Sequence, residues 1–495
     1  MPQYSIKVKW GKELFPNVEV NTDEEPMLFK AQLFALTGVQ PERQKVMLKG
    51  MTLKDEDWGI MKLKDGVTVL MMGSKEEDVP MEPTEKPLFL EDMNESELAT
   101  ALDLPAGLTN LGNTCYLNAT VQCLKTVPEL RDALKDFPGG LASTGNSFIV
   151  PAQSITAALR DLYEGMDKGA SLPPVVLVQM VHLAFPRFAE KSDHGGFQQQ
   201  DANECWTEII RMLKDKLPSK EYPNAIGDSE QRSKHSSLIE QYFGGTFDTE
   251  LKCVESEEET PSKGKEDFLQ LSCFISTDVK YMHSGLRNKM QEQITKNSST
   301  LGRDAIYTKT SKISRLPAYL TIQFVRFYYK EKEAINAKIL KDVKFPLEFD
   351  AFELCSPELQ QKLIPVREKF KELEDKQLED ARNMKEKRNK NDDKEQKTTQ
   401  EPFSFENDLG SNNSGYYTLQ AVLTHQGRSS SSGHYVAWVR QKGDTWIKCD
   451  DDNVSIITSE DILKLSGGGD WHCAYVLLYG PRILEIPIAD ETATE

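Results

Sequence analysis

The chain opens with a regular alternation of hydrophobic and polar positions. Apolar side chains at every second position from Tyr4 to Trp10 predict a strand with one buried face. A turn at Gly11 follows, and Val18 and Val20 continue the alternation in a second strand. Two further apolar runs follow before residue 75. The pattern therefore predicts at least four strands in the first part of the chain.

Between the second and third of these strands the apolar spacing changes to that of a helix. Phe29, Leu33 and Leu36 fall on one helical face, and Gly38 is well placed to end the helix. Two strands, a helix and two strands within this length resemble the ubiquitin-like β-grasp fold, although another small α+β domain has the same pattern. No Gly-Gly pair follows Gly73, so the predicted role is a docking domain and not a conjugated tag.

Composition divides the rest of the chain. Residues 76–102 contain three prolines among acidic residues and predict a linker. Residues 103–482 have the mixed pattern of one large α+β domain. Within it, residues 367–400 are mostly charged and amide side chains, so we expect a mobile insertion that is helical only at its start. Residues 483–495 form an acidic tail.

The formal net charge of -18 at pH 7 disfavours nucleic acid and anionic membranes as partners, because both repel an acidic chain. None of the eight cysteines forms a Cys-x-x-Cys pair, so we expect no metal site and no cofactor. Their sparse spacing is typical of reduced intracellular thiols. The start of the chain lacks a signal-peptide pattern, and the apolar runs are too short to cross a bilayer. We therefore expect a cytoplasmic protein without a membrane span.

One cysteine stands at the predicted start of a helix. Leu117 and Val121 recur at helical spacing after Cys115, and either Asn113 or Thr114 can serve as the N-cap. The thiol then lies in the first turn, where free N–H groups and the helix dipole favour an anion. This setting predicts a nucleophile. A buried structural cysteine is the alternative.

A nucleophilic thiol needs a base, and His434 has the best context. It follows the Ser- and Gly-rich residues 427–433 and begins a predicted hairpin whose second strand ends at Asp450. The midpoint of these two positions, 442, falls in the turn, so we expect the two side chains to face each other, with the carboxylate orienting the imidazole. Asp451 is a substitute for that carboxylate, and His425 is the rival base.

These segments resemble motifs of the ubiquitin-specific protease family, over roughly residues 103 to 482. The residues that carry the resemblance are Gly-Leu-x-Asn-x-Gly-Asn-Thr-Cys-Tyr-x-Asn at 107–118, Gln-x-Asp-Ala-x-Glu at 199–204, Leu316-Pro-x-x-Leu320, Arg326-Phe327, Phe345-Pro346, Gly433-His434-Tyr435, Trp446 and Asp450-Asp451.

The resemblance implies a papain-like cysteine protease domain with thumb, palm and fingers, which hydrolyses isopeptide bonds at the C-terminal glycine of ubiquitin. By position it implies a nucleophile, a base, its orienting carboxylate and an oxyanion donor at Cys115, His434, Asp450 and Asn110. It also implies ubiquitin contacts at Gln199, Asp201 and Tyr435. A turn-forming role is the alternative for Asn110. Zinc is not expected in the fingers, because the cysteine pairs are missing.

The N-terminal domain and the Ser-rich loop resemble the proteasome-associated members of that family. This likeness implies that the ubiquitin-like domain docks on the regulatory particle of the 26S proteasome, in the cytoplasm and, with proteasomes, in the nucleus, where the enzyme trims polyubiquitinated proteins. It implies that loops block the cleft of the free enzyme, namely Tyr328 to Lys338 and Ser430, Ser431, Ser432 and Gly433. A ubiquitin-binding regulator of the proteasome, acting mainly without catalysis, is the alternative function.

Overall fold

The computed structural model describes residues 3–59, 62–75, 104–141, 150–169, 171–192, 195–221, 235–330, 335–386, 398–430 and 432–487. The chain divides into two compact units, Met1–Met93 and Asn94–Glu495. The predicted linker at 76–102 lies outside the described residues. Among the described helices, none is both long and apolar enough to cross a membrane.

The first unit is a five-stranded sheet with one helix, as the alternation predicted. Its elements are β1 Gln3–Trp10, β2 Glu13–Asn21, α1 Pro26–Thr37, β3 Lys45–Leu48, β4 Met51–Thr52 and β5 Thr68–Met72. The strand order is β2-β1-β5-β3-β4, and β1 runs parallel to β5. This is the predicted ubiquitin-like β-grasp arrangement, with a two-residue β4 that the sequence pattern did not reveal.

The core of this unit lies between α1 and the sheet. Phe29 and Leu33 are buried against it, whereas Leu36, expected on the same face, is 45% exposed. Gly38 ends α1 with a φ of 73°, and its N–H donates to the Phe34 carbonyl at 2.7 Å. A left-handed residue at this position suits glycine, which explains the predicted end of the helix.

The described part of the second unit contains a helical layer, a large sheet, a four-stranded sheet and two two-stranded sheets. Its described helices are α2 Cys115–Leu124, α3 Pro128–Lys135, α4 Pro151–Met166, α5 Val175–Ala184, α6 Ala202–Lys216, α7 Leu238–Phe243, α8 Met282–Lys289, α9 Pro357–Glu386 and α10 Ser459–Leu463. Its described strands are β6 Gly245–Cys253, β7 Ser262–Phe268, β8 Leu271–Phe274, β9 Gln291–Ser298, β10 Arg303–Arg315, β11 Leu320–Val325, β12 Phe327–Lys330, β13 Ile335–Lys338, β14 Glu348–Asp350, β15 Thr398–Gln400, β16 Tyr416–Gln426, β17 His434–Lys442, β18 Thr445–Asp450, β19 Asn453–Thr458, β20 Cys473–Pro481 and β21 Glu485–Pro487.

An eight-stranded sheet forms the centre of this unit, in the order β19-β18-β17-β16-β20-β11-β8, with β14 paired to β16. Alternate residues of β17 enter two different cores. Tyr435, Ala437 and Val439 pack in the core shared with the helices, and Val436 and Trp438 pack in the core on the other side. A four-stranded sheet, β7-β6-β10-β9, stands apart from it. The helices, the eight-stranded sheet and the four-stranded sheet are the thumb, the palm and the fingers that the family resemblance implied.

The predicted insertion at 367–400 begins as a helix, as the sequence indicated, and residues 387–397 lie outside the described residues. Residues 367–386 are the last two thirds of the 30-residue helix α9. Phe370 is buried and meets the Tyr416 ring edge-on, with 5.4 Å between centroids, and the Arg482 guanidinium lies 5.1 Å from the Phe370 ring. Phe370, with cation–π support from Arg482, therefore helps to hold this mostly charged part of the helix. Beyond it, β15 pairs with β21, so the expected acidic tail begins as a strand.

Arg326 is fully buried between β11 and β12. Its guanidinium donates to four carbonyl oxygens, those of Ala474 at 2.7 Å, Ser466 at 2.8 Å, Lys341 at 2.9 Å and Ile339 at 3.0 Å. The Ile339 N–H donates back to the Arg326 carbonyl at 2.7 Å. Arg326 and Ile339 therefore close the base of the β12–β13 hairpin from both sides.

Candidate active site

The cysteine predicted as nucleophile begins helix α2, which packs against β17 and α6. Cys115 is 2% exposed. Thr114 is the N-cap residue, but its side chain makes no capping hydrogen bond and instead accepts from the Leu111 N–H at 2.9 Å. The first-turn N–H groups near the thiol are thus left without a side-chain cap from Thr114, which keeps the positive end of the helix dipole directed at the sulfur.

His434 and Asp450 meet as predicted, although not by direct opposition. The hairpin register pairs Ala437 with Cys449, so its continuation sets His434 opposite position 452. The tight turn lies one residue later than the predicted midpoint, and a bulge follows Arg440. The imidazole therefore reaches Asp450 diagonally, with Nε2 to Oδ1 at 2.6 Å. Diagonal partners in a sheet are within reach of long side chains.

The charges around His434 are those of a base held by a carboxylate. Hydrogen bonds to Asp450 and then to the Cys115 thiol raise the pKa of His434 to about 10. The same bond from His434, with a second from Lys448 Nζ at 2.8 Å, holds the pKa of Asp450 below its usual range. Because Nε2 is taken by Asp450, Nδ1 is the nitrogen available to the thiol. His434 is therefore a protonated imidazole beside Cys115 at neutral pH.

Asp451, the alternative orienting carboxylate, contacts different residues. Its Oδ2 accepts from Asn110 Nδ2 at 2.9 Å and its Oδ1 from Asn118 Nδ2 at 2.8 Å. Asn110 Oδ1 in turn accepts from the N–H groups of Gly112 at 2.9 Å and Thr114 at 3.2 Å. Asn110 therefore shapes the turn before Cys115, and Asp451 ties that turn to the hairpin that carries the histidine.

Of the residues expected to contact ubiquitin, Gln199 lies directly beside the thiol. Gln199 Nε2 lies 3.2 Å from Cys115 Sγ, and the Gln199 residue is 8% exposed. Tyr435 is 1% exposed and its hydroxyl has no partner in the described chain. The place of Gln199 on the sulfur was not predicted, because no local pattern links positions 84 residues apart.

Asp201 is fully engaged as a structural anchor. It caps α6 by accepting from the Asn203 N–H at 2.8 Å and the Glu204 N–H at 3.1 Å. Tyr475 Oη donates to the same carboxylate, at 2.8 Å to Oδ2. Burial raises the pKa of Asp201, with these hydrogen bonds opposing the shift. The carboxylate thus holds the start of α6, and with it Gln199, against β20.

The rival base, His425, is fully buried within β16. Burial lowers its pKa to about 3, and its Nε2 donates to the Ser432 carbonyl at 3.0 Å. His472 is likewise neutral, because burial lowers its pKa to about 4. His434 is therefore the histidine of this group that is positively charged at neutral pH.

The two segments expected to block the cleft are joined. The Lys338 N–H donates to the Arg428 carbonyl at 2.9 Å, and Ala337 forms a bridge with Ser429. The buried Lys338 ammonium also donates to the His425 carbonyl. We name the two segments, 328–338 and 427–433, the lid; residues 331–334 of it lie outside the described residues. Tyr328 is 46% exposed on it, Ser430, Ser432 and Gly433 belong to it, and Ser431 lies outside the described residues.

Donor atoms of His434, Asp450 and Asp451 lie within 4.8 Å of one another, a spacing that could hold a metal ion. The carboxylate oxygens already accept from His434, Lys448, Asn110 and Asn118. A cation would have to displace these donors, so the arrangement fits proton transfer better than metal binding.

Comparison with known proteins identifies the relatives of the chain. The family described as ubiquitin carboxyl-terminal hydrolase matches residues 106–479. A ubiquitin carboxyl-terminal hydrolase 14 of Caenorhabditis elegans is 42% identical, over 97% of this chain and 94% of the relative. Hydrolases numbered 6 from Arabidopsis thaliana and Schizosaccharomyces pombe are each 40% identical, over 97% and 96% of this chain and 100% and 98% of the relatives.

The match spans the helix of Cys115 and the hairpin of His434, and the curated relatives are covered over nearly their full length. The predicted resemblance is confirmed: the chain belongs to the ubiquitin carboxyl-terminal hydrolase family and is a cysteine-type deubiquitinase.

Proposed function

We propose that the chain is a proteasome-associated deubiquitinase in which Cys115 attacks the carbonyl carbon of the C-terminal glycine of ubiquitin. The observation that carries the proposal is the continuous contact from Cys115 through His434 to Asp450. A thiol beside a protonated imidazole that is itself held by a carboxylate is the arrangement of a nucleophile, base and orienting group.

Each proton transfer in the proposed reaction passes through His434, which Asp450 holds in place. Attack by the thiolate forms a C–S bond and places negative charge on the former carbonyl oxygen, which backbone N–H groups at the start of α2 and the Asn110 amide stabilise. The His434 imidazolium then gives its proton to the leaving lysine amine, and the C–N bond breaks. Water attacks the thioester with His434 as base, which releases the ubiquitin carboxylate and restores the thiolate.

The assay for this proposal is release of a fluorophore from the C-terminus of ubiquitin, with and without purified 26S proteasome. We expect slow hydrolysis by the free enzyme and faster hydrolysis with proteasomes. Equal rates in the two conditions would leave the hydrolase chemistry standing but would contradict activation by docking. We place the enzyme where proteasomes are, in the cytoplasm and nucleus.

The outer face of the N-terminal sheet supports the docking proposal. Leu14, Lys9 and Leu70 lie side by side across β2, β1 and β5, and Met72 lies beside Lys45. Leu14 is 53%, Leu70 41% and Met72 53% exposed. Exposed apolar side chains between lysines fit an apolar groove with an acidic rim. We propose that such a groove on the regulatory particle receives this face.

Leu70→Asp is expected to weaken co-sedimentation with proteasomes at least about tenfold, because it places a charge in the apolar part of the contact. Leu28→Asp is the matched control: Leu28 is 58% exposed on α1, on the opposite side of the unit. Hydrolysis of ubiquitin–fluorophore without proteasome should be normal in both. Equal loss of binding in the two variants would contradict docking through the sheet face.

We also propose that the lid lowers the activity of the free enzyme and opens on docking. The position of the lid supports this proposal. Hydrogen bonds within the lid join β13 to the loop directly before His434, and the Ser432 carbonyl accepts from the buried His425. Burial lowers the pKa of Lys338 to about 8, so its ammonium is still charged at neutral pH and strengthens its bond to the His425 carbonyl.

Lys338→Ala is expected to raise the basal rate roughly tenfold, since a hydrogen bond from a charged group contributes about 1.5 kcal/mol or more to the closed lid. The rate with proteasomes should change little, because the lid is then open in both proteins. Lys344→Ala, at an exposed neighbouring position, is the control. An unchanged basal rate in a folded Lys338→Ala enzyme would rule against this latch.

A further inference from the structure

Gln199 has a contact that a role in ubiquitin binding does not require. Its Nε2 donates toward Cys115 Sγ at 3.2 Å, and the side chain is nearly inaccessible to solvent. The backbone that carries it is held in place two residues later, where Asp201 caps α6 and accepts from Tyr475. The segment that carries the carboxamide is therefore anchored beside the sulfur.

The chemistry of the sulfur makes this contact important. An amide N–H forms a stronger hydrogen bond to a thiolate than to a thiol, because the acceptor is charged. The other side-chain amides of the cysteine turn have different acceptors: Asn110 donates to Asp451 at 2.9 Å and Asn113 to the Phe197 carbonyl at 2.8 Å. His434 approaches the thiol with a positive charge. The sulfur thus has an imidazolium and the Gln199 carboxamide as its two side-chain partners.

We propose that Gln199 is a catalytic residue whose Nε2–H group stabilises and positions the Cys115 thiolate. This role differs from the one proposed for Asn110, whose amide would stabilise the negative charge on the carbonyl oxygen of the substrate. The inference rests on the proposed role of Cys115 as nucleophile, and it concerns the free enzyme, so it can be measured without ubiquitin.

The test is the rate at which iodoacetamide alkylates Cys115, followed by mass spectrometry of the Cys115 peptide between about pH 5 and pH 9. Gln199→Glu keeps the shape of the side chain but replaces the donor with an acceptor. We expect alkylation below neutral pH to be about three- to tenfold slower, with the profile moved to higher pH, because loss of a charge-assisted bond reduces the thiolate fraction while the remaining thiolate is more nucleophilic.

Gln198→Glu is the matched control, since it adds the same charge one residue away on an exposed side chain. It should alkylate like the wild type. Gln199→Ala, which removes the donor without adding charge, should show the same direction as Gln199→Glu. In ubiquitin–fluorophore hydrolysis, the decrease in kcat of both Gln199 variants should be larger than the increase in KM.

Normal alkylation profiles in both Gln199 variants, together with a higher KM, would overturn the inference and leave Gln199 as a ubiquitin contact alone. Failure of the underlying proposal has a different signature. If the Cys115→Ala enzyme still reacted with a ubiquitin vinyl sulfone probe, the nucleophile itself would be elsewhere, whatever the alkylation rates of the Gln199 variants.

Discussion

Replacing Cys115 with alanine is expected to lower ubiquitin–fluorophore hydrolysis by about five orders of magnitude or more and to abolish labelling by ubiquitin vinyl sulfone. Without the sulfur the enzyme cannot form a thioester, and His434 and Asp450 alone cannot attack the carbonyl. The pKa of His434 should also fall, because its bond to the thiol is one of the two largest causes of the raised value. Titration of the His434 ring by NMR would detect that decrease.

Cys123→Ala is the control for this experiment. Cys123 lies on the same helix and is 1% exposed, and burial raises its pKa well above the usual value, so it is a neutral thiol in the core. This variant should keep normal labelling. Labelling that persisted in Cys115→Ala, or that disappeared in Cys123→Ala at equal thermal stability, would reject the assignment of the nucleophile.

Asp450→Asn is expected to reduce kcat by about three to four orders of magnitude, because an amide neither orients the imidazole as an acceptor of the same strength nor stabilises its charge. The sign of the pH effect follows from the raised pKa of His434, about 10. The carboxylate is the largest cause of that increase, so without it His434 loses its proton at lower pH. The alkaline limb of the rate profile should therefore move to lower pH.

Asp451→Asn separates the two adjacent acids. Asp451 accepts from Asn110 and Asn118 and makes no hydrogen bond to His434 in the described contacts. We expect this change to weaken the tie between the cysteine turn and the hairpin, with a smaller loss of kcat and an unchanged alkaline limb. A shift of the alkaline limb in Asp451→Asn but not in Asp450→Asn would show that Asp451, and not Asp450, orients His434.

The sequence predicted the elements of the site better than their contacts. Local patterns sufficed for the helix that starts at Cys115 and for the hairpin from His434 to Asp450, because helix spacing and strand alternation are properties of neighbouring residues. The same patterns misjudged the pairing in the hairpin, since one bulge and the exact place of a tight turn decide which residues stand opposite each other.

Contacts between distant segments could not be derived from such patterns. Asn110 and Asp451 are 341 positions apart, and Gln199 and Cys115 are 84 apart. These pairs exist because α2 and α6 pack together and α2 packs on the sheet. The helix at the start of the charged insertion depends on similar contacts: Phe370 is a weak signal by itself, but the Tyr416 and Arg482 side chains of other segments stabilise its burial.

Arg326 limits what opening of the lid can mean. Its side chain and backbone hold Ile339, so both ends of the hairpin segment 327–338 stay at a fixed separation when the latch is released. On opening, a segment whose two ends are held together gains less conformational entropy than a segment of the same length with a free end. Fewer hydrogen bonds are then needed to keep the lid closed against that gain in entropy. In the proposed opening, the hairpin therefore moves as a flap that stays tethered at both ends.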